Sequence, residues 1–249
     1  MMNYELLIDL HKMNKRQGPG GDAQTLKALQ LSGLMTSTQS MQIADIGCGT
    51  GASTLVLAEN LNACITAIDL FQDFLDILNA NAQKRGFADK ITTQSGSMEE
   101  LAFEDGSLDV IWSEGAIYNM GFAKGVEYFK RFLKPGGTLA VSEITWLTAE
   151  RPEEIQRHWD SEYPEIAIAS DKIKILEDHG FILKGYFPLP ESSWIENYYA
   201  PLKNTFDGFI TRNDSEDARA IVESEKAEAA HYEKYSHYFS YGFYIAQKV

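Results

Sequence analysis

Three glycines at alternate positions, Gly47, Gly49 and Gly51, stand in the stretch ADIGCGTGAS between two apolar runs. Glycine tolerates φ > 0 and lets a backbone come close to a ligand. The helix start that follows supplies unpaired N–H groups. Asp69 ends the next apolar run, CITAID. A carboxylate there can accept both hydroxyls of a ribose. A glycine loop can also simply turn the chain between strand and helix, and Asp69 with the element order below weighs for a ligand.

The charges narrow the ligand. GCGTGA also reads as G-x-G-x-x-A, which suits a dinucleotide. No Lys, Arg or His occurs from Met41 to Gln83, whereas Asp45, Glu59, Asp69, Asp73 and Asp76 do. Two unit charges about 4 Å apart interact by roughly 1 to 4 kcal/mol, depending on exposure. A pyrophosphate beside Asp45 is therefore disfavoured. A nucleoside triphosphate loop needs a Gly-Lys-Ser/Thr, which is absent. S-adenosylmethionine has no phosphate and carries a sulfonium and an ammonium. Asp45 could receive that ammonium directly or through water.

The elements that must hold these residues follow from periodicity. YELLIDLHKM and AQTLKALQLSGL read as helices, separated by the breaker RQGPGG. From Met41 the strands MQIAD, CITAID, KITTQ, LDVIW and TLAVSEI alternate with the helices STLVLAENL, FQDFLDILNANAQKRG and GVEYFKRFL. DKIKILEDHGF (helix), ILKGYF (strand), an aromatic-rich insertion, a long helix that Asp214 could cap, and the strand YGFYIAQKV complete the chain. This order implies an α/β fold with a mostly parallel sheet covered on both faces. The expected organisation is an N-terminal helical cover over 1–40 and one domain over 41–249, with a cap insertion about 188–237.

DIGCGTG, AID one strand later, GSMEELAFEDGSLDVIWSEGAIYNM and FLKPGGTLAVSE together resemble the class I S-adenosylmethionine-dependent methyltransferases. Within them the chain looks closest to the small-molecule branch of ubiquinone and menaquinone biosynthesis. The resemblance implies a Rossmann-like seven-stranded sheet with an antiparallel last strand. It implies that Asp45, Gly47, Cys48, Gly49, Thr50 and Gly51 surround the methionine part of the cofactor. Asp69 would bind the ribose and Leu70 flank the adenine. Ser97 and Met98 stand where the family often has Asp-Ala, which puts the adenine amino contact in question. Ser113, Glu114 and Gly115 would face the transferable methyl. Arg16 either meets the cofactor carboxylate or is a solvated arginine in a turn. S-adenosylhomocysteine would be the product.

Displacement at a sulfonium needs alignment and exclusion of water. A base is required only for an acceptor protonated at neutral pH. Glu143, His11 and His158 are the candidates for it, each with a structural alternative. Tyr118, Trp146, Trp194, Tyr198 and Tyr199 fall in loops or insertions that should cap the site, and are candidates for substrate contact or for packing. They suit an aromatic or quinone-like acceptor, or a cation held by π faces. Cys48 is a nucleophile or simply a small side chain in a tight loop.

With 36 acidic against 22 basic residues the net charge is −14, which argues against nucleic acid and against an anionic membrane surface. No metal-ligand spacing occurs. No apolar run approaches a span and no signal-peptide pattern is seen, so stable membrane insertion is not expected. Two cysteines suit a reduced cytoplasmic setting. The leading expectation is methyl transfer to a small organic molecule. The alternatives are an NAD-dependent oxidoreductase and a non-catalytic S-adenosylmethionine-binding protein. Oligomeric state is left open.

Overall fold

The computed structural model describes residues 4–249. The first three residues of the expected N-terminal cover lie outside them. In chain order the elements begin with helices α1 (Tyr4–His11) and α2 (Asp22–Ser32). Then come β1 (Met41–Ile46), α3 (Ala52–Asn60), β2 (Ala63–Asp69), α4 (Gln72–Arg85), β3 (Ile91–Ser95), β4 (Leu108–Glu114), α5 (Phe122–Phe132) and β5 (Leu133–Trp146). They are followed by α6 (Glu153–Glu162), β6 (Ala167–Ile168), α7 (Ala169–Asp178) and β7 (Phe181–Pro188). The cap holds α8 (Glu191–Trp194), α9 (Ala200–Lys203), α10 (Phe206–Asn213) and α11 (Glu216–Tyr235), and β8 (Phe239–Lys248) closes the chain.

The strands form one sheet in the order β3-β2-β1-β4-β5-β8-β7. β1 to β5 are parallel, and β8 runs antiparallel between β5 and β7. The expected Rossmann-like sheet is present, with an eighth strand where seven were expected. The two-residue β6 pairs with the end of β5, a contact too short to leave a pattern in the sequence. The order reverses direction at β1 and β4, and this is the switch point where open α/β sheets leave a crevice at the strand C-termini.

Two apolar layers cover the sheet. On one face Ala28 and Leu29 of α2 join Leu55 and Val56 of α3 and Leu75 and Leu78 of α4. On the other, Phe122, Val126, Phe129 and Phe132 of α5 recur at helical spacing and meet Leu176 of α7. A third cluster is the cap itself, where Trp194, Tyr199, Phe209 and Tyr232 pack with Trp146 and with Leu10 of α1. The long cap helix α11 is capped by Ser215, whose hydroxyl accepts from the Ala218 N–H at 3.1 Å, and not by Asp214. α6 was not anticipated, because its charged sequence EEIQRHWDSE buries only Ile155.

Candidate active site

The turn after β1 is built to bring backbone close to the crevice. Gly49 and Gly51 sit at φ 55° and 86°, in the left-handed region that other residues rarely enter. A Cβ on Gly51 would strike the Leu78 side chain, and one on Gly49 would strike the Gln17 amide oxygen. Asp69, at the end of β2, accepts from the Gly49 N–H at 2.8 Å and from the Phe71 N–H at 3.1 Å. Burial still raises its pKa.

A cavity of about 410 Å³ lies over the C-terminal ends of β1, β2 and β4. Of the residues expected around a cofactor, Gly47, Cys48, Gly49, Asp69, Leu70, Ser97, Met98, Glu114, Gly115 and Arg16 line it. Four others support the walls instead. Ser113 is buried and donates to the Ile46 carbonyl at 2.8 Å. Gly51 starts α3. Thr50 donates toward the carbonyls of Lys15 at 3.0 Å and Asn14 at 3.3 Å. Asp45 lies beneath the loop, fully buried, and accepts from Ser53 at 2.9 Å and Thr54 at 2.6 Å. Its Oδ1 has no hydrogen-bond partner. Desolvation first, and then the neighbouring Glu114 charge, push its pKa up to about 7 against the opposing hydroxyls.

Arg16 is not a solvated turn residue. It is 8% exposed and donates to Glu114 at 2.8 Å and to Thr25 at 3.2 Å. Its Nε remains buried with no partner. Glu114 is fully engaged, since its other oxygen accepts from Thr25 at 2.7 Å and from the Trp112 indole N–H at 2.9 Å. Gln17 was missed by sequence reasoning. It accepts from the Thr50 N–H at 2.8 Å, donates to the Asn14 carbonyl at 3.1 Å, and lines the cavity. The breaker RQGPGG marked this segment as a turn, but nothing in one sequence says that the turn lies on the glycine loop.

The expected catalytic and substrate residues scatter. Tyr118 lines the cavity. Trp146, Trp194, Tyr198 and Tyr199 do not. They are buried in the cap cluster, where Trp194 stacks on Tyr232 at 4.3 Å and donates to Ser240 at 2.9 Å. Glu143 is wholly buried on β5, 3.2 Å from the equally buried Lys172 of α7. Burial raises its pKa against the pull of Lys172. His158 packs against His231 at 4.2 Å and against Trp159, among α6 and α11. His11 lies 3.3 Å from Glu225 and is stacked on Tyr198. It lines a smaller cavity of about 180 Å³ with Tyr4, Leu7 and Phe71.

Residues 43–137 match the family described as Methyltransferase domain. The 27-O-demethylrifamycin SV methyltransferase of Amycolatopsis mediterranei is 27% identical over 49% of this chain and 46% of its own length. A probable chloroplastic tocopherol O-methyltransferase of Oryza sativa is 30% identical over 54% of this chain and 40% of its own. The chain thus spans about half the length of the curated relatives it matches. A methyltransferase from Geobacter sulfurreducens, solved with S-adenosyl-L-homocysteine, has a TM-score of 0.84, with 19% identity and 98% of both chains covered. The matched segment carries the glycine loop, Asp69 and Glu114, and the sheet carries the rest. Residues 43–137 thus match a methyltransferase domain, and the chain as a whole shares the fold of a methyltransferase solved with S-adenosyl-L-homocysteine.

Proposed function

We propose that the protein transfers a methyl group from S-adenosylmethionine to a small organic molecule. The supporting observation is the polarity of the one cavity over the glycine loop. Asp69 ends β2 and Arg16 is bonded to Glu114 at the end of β4, with β1 between those strands, and Arg16 is the sole cation among the described residues that line the cavity. The residues fit the cofactor. The Asp69 carboxylate suits ribose hydroxyls. The orphaned Arg16 Nε–H suits the carboxylate of an amino acid, while Glu114 already balances much of the arginine charge. Met98 and Leu70 offer apolar surface to a purine. When bound, the cofactor supplies an electrophilic methyl.

What the chain itself does is hold and shield. The glycine loop presents backbone N–H groups. The Asn14–Gly21 segment lies over it through Gln17 and Thr50, which limits water in the crevice. Asp45 acts from beneath, keeping the first turn of α3 in place through Ser53 and Thr54. Glu143, His11 and His158 are not among the residues that line the main cavity, so direct displacement by an acceptor is favoured over a scheme with a dedicated base on one of them. The expected aromatic or quinone-like acceptor keeps the support of Tyr118, since the other expected aromatics are part of the cap core. Both cysteines are free thiols, which suits a reduced, cytoplasmic setting.

Melting temperature tests this reading. S-adenosylhomocysteine and S-adenosylmethionine are expected to raise it, and NADH to leave it unchanged. A ligand at about 100 times its Kd stabilises by roughly 2.7 kcal/mol, or on the order of 5 to 10 °C for this size. A shift with NADH and none with the adenosyl ligands would replace the reading by the oxidoreductase one. Binding without turnover on any acceptor would leave a cofactor-binding protein.

A further inference from the structure

The N-terminal segment is tied down at two ends, and only one of them belongs to the glycine loop. Asn14, Lys15 and Gln17 hold that loop through Thr50. Gly18 and Pro19 follow and line the cavity. Gly20 then meets the cap. Its N–H donates to the Ser193 carbonyl at 3.2 Å, and its carbonyl accepts from the Asn197 side-chain amide at 2.7 Å. The close approach suits glycine. A Cβ on Gly21 would stand 2.7 Å from Asn197 Nδ2, and one on Gly20 would stand 2.8 Å from Arg16 Nη1. Neither Ser193 nor Asn197 lines the cavity.

The sequence accounts for an amide at this point of the cap. Between α8 and α9 the chain makes a π turn over Ile195–Tyr199, and the Ala200 N–H donates to the Ile195 carbonyl five residues back. Pro201 lies in the first turn of α9. In an unbroken α-helix residue 201 would donate to the Asn197 carbonyl. Proline has no N–H, and its ring would press on that carbonyl. One added residue in the turn relieves the conflict, and turns of this kind recur at functional sites. Tyr198 and Tyr199 are buried in the cap cluster with Trp194, whereas Asn197 is exposed. The amide therefore projects from a fixed base and not from a loose loop. Among the described residues its hydrogen-bond partner is Gly20.

We propose that Asn197 is a positioning residue. From the cap it holds Gly20, and through it the wall formed by Gly18 and Pro19, over the cavity, and so sets how fast cofactor and product exchange. The proposal rests on the methyltransferase reading and adds to it a residue that lines no part of the cavity. A ligand that enters and one that leaves pass the same wall. Weakening the tie therefore speeds both steps, and their ratio, the Kd, stays nearly constant. Losing a direct contact to the ligand would instead raise the release rate and the Kd together. The Arg16–Glu114 pair and the Thr50 bonds do not involve Asn197, so the closed form stays the favoured one when the cap tie is cut. Loss of one hydrogen bond between uncharged groups changes a rate by about three- to tenfold.

The test uses the full chain loaded with tritiated S-adenosylhomocysteine and chased with an excess of the unlabelled compound. Asn197→Ala is expected to release the label about three- to tenfold faster than the parent, with a Kd within about twofold. Its urea midpoint should stay as in the parent, because the side chain is exposed. Asn197→Asp keeps the shape and loses the donor, and is expected to match the alanine variant. Release at the parent's rate in both variants would overturn the proposal. So would faster release matched by an equal rise in Kd, which would make Asn197 a contributor to affinity and not to passage. Faster release with a lowered urea midpoint, the sign of a loosened cap, would overturn it as well. A parent that binds no S-adenosylhomocysteine would instead overturn the methyltransferase reading, so the two failures are distinct.

Discussion

The glycine-loop half and the cap half of this molecule bury polar chemistry in opposite ways. Around the loop, carboxylates are held by backbone N–H groups, hydroxyls and one arginine, and their free valences face a cavity or lie just beneath it. In the cap, aromatic rings satisfy one another. Trp194 alone has ring neighbours in Tyr199, Tyr232, Phe239 and Tyr241. The first half therefore leaves polar atoms such as Arg16 Nε and Asp45 Oδ1 unpaired at or beneath its cavity, and the second packs its rings away from that cavity. Substitutions should split along that line.

Trp194→Ala should have the largest effect. Emptying a buried tryptophan site costs about 3 to 5 kcal/mol, read as a lowered urea midpoint. The Kd for S-adenosylhomocysteine of the folded fraction should change less than threefold. A large affinity loss would show that the cap shapes the cofactor cavity directly.

Asp45→Asn should act in the other direction. A folded pKa raised from 3.8 to about 7 means that the folded state holds a proton the unfolded chain has lost. The parent's stability is thus full below pH 4 and falls as pH rises toward 7. The full move corresponds to roughly 4 kcal/mol as an upper bound. The asparagine variant should lose this slope and become the more stable protein near pH 8. An unchanged slope in urea melts between pH 4 and 8 would remove Asp45 as its source.

Asp69→Ala should leave the fold's midpoint within about 1 kcal/mol, since two backbone donors can turn to water. It should weaken S-adenosylhomocysteine about 100-fold by calorimetry, near 2.7 kcal/mol. Equal losses in stability and affinity would blur the division between the halves.

The smallest effect belongs to the cap surface. Burial and the adjacent His158 lower the pKa of His231. Protonation is therefore favoured in the unfolded chain, and the cap should lose stability as pH falls below about 6.5. His231→Phe should flatten the acid limb of the melting profile without altering ligand affinity at pH 8.

The division also explains what could be read in advance. Loop chemistry is local: the glycines, Asp69 and the strand before them lie within one stretch, so both the fold and most of the cavity floor were legible. The side of the cavity formed by Gln17 was not. It joins residues 33 positions apart through a side-chain amide and a backbone N–H, and neither type has a signature. Asp45 lies beneath the loop and does not line the cavity, because alternation along β1 does not say on which side of a turn a carboxylate ends. The aromatics of the cap misled for a related reason. An insertion rich in Trp and Tyr reads the same whether the rings meet a ligand or one another, and only the pairing of Trp194 with Tyr232 and Ser240 decides it.

The bond set between the N-terminal segment and the glycine loop has a kinetic meaning. Asn14, Lys15 and Gln17 hold Thr50, and Arg16 bridges to Glu114 across the same opening. Under the proposed function, these are the bonds that would open if the segment lifts to release a ligand. Residence time would then follow the rate at which a few hydrogen bonds and one ion pair open together, and turnover of the proposed reaction would follow a motion of residues 14–21 as well as the chemistry beneath them.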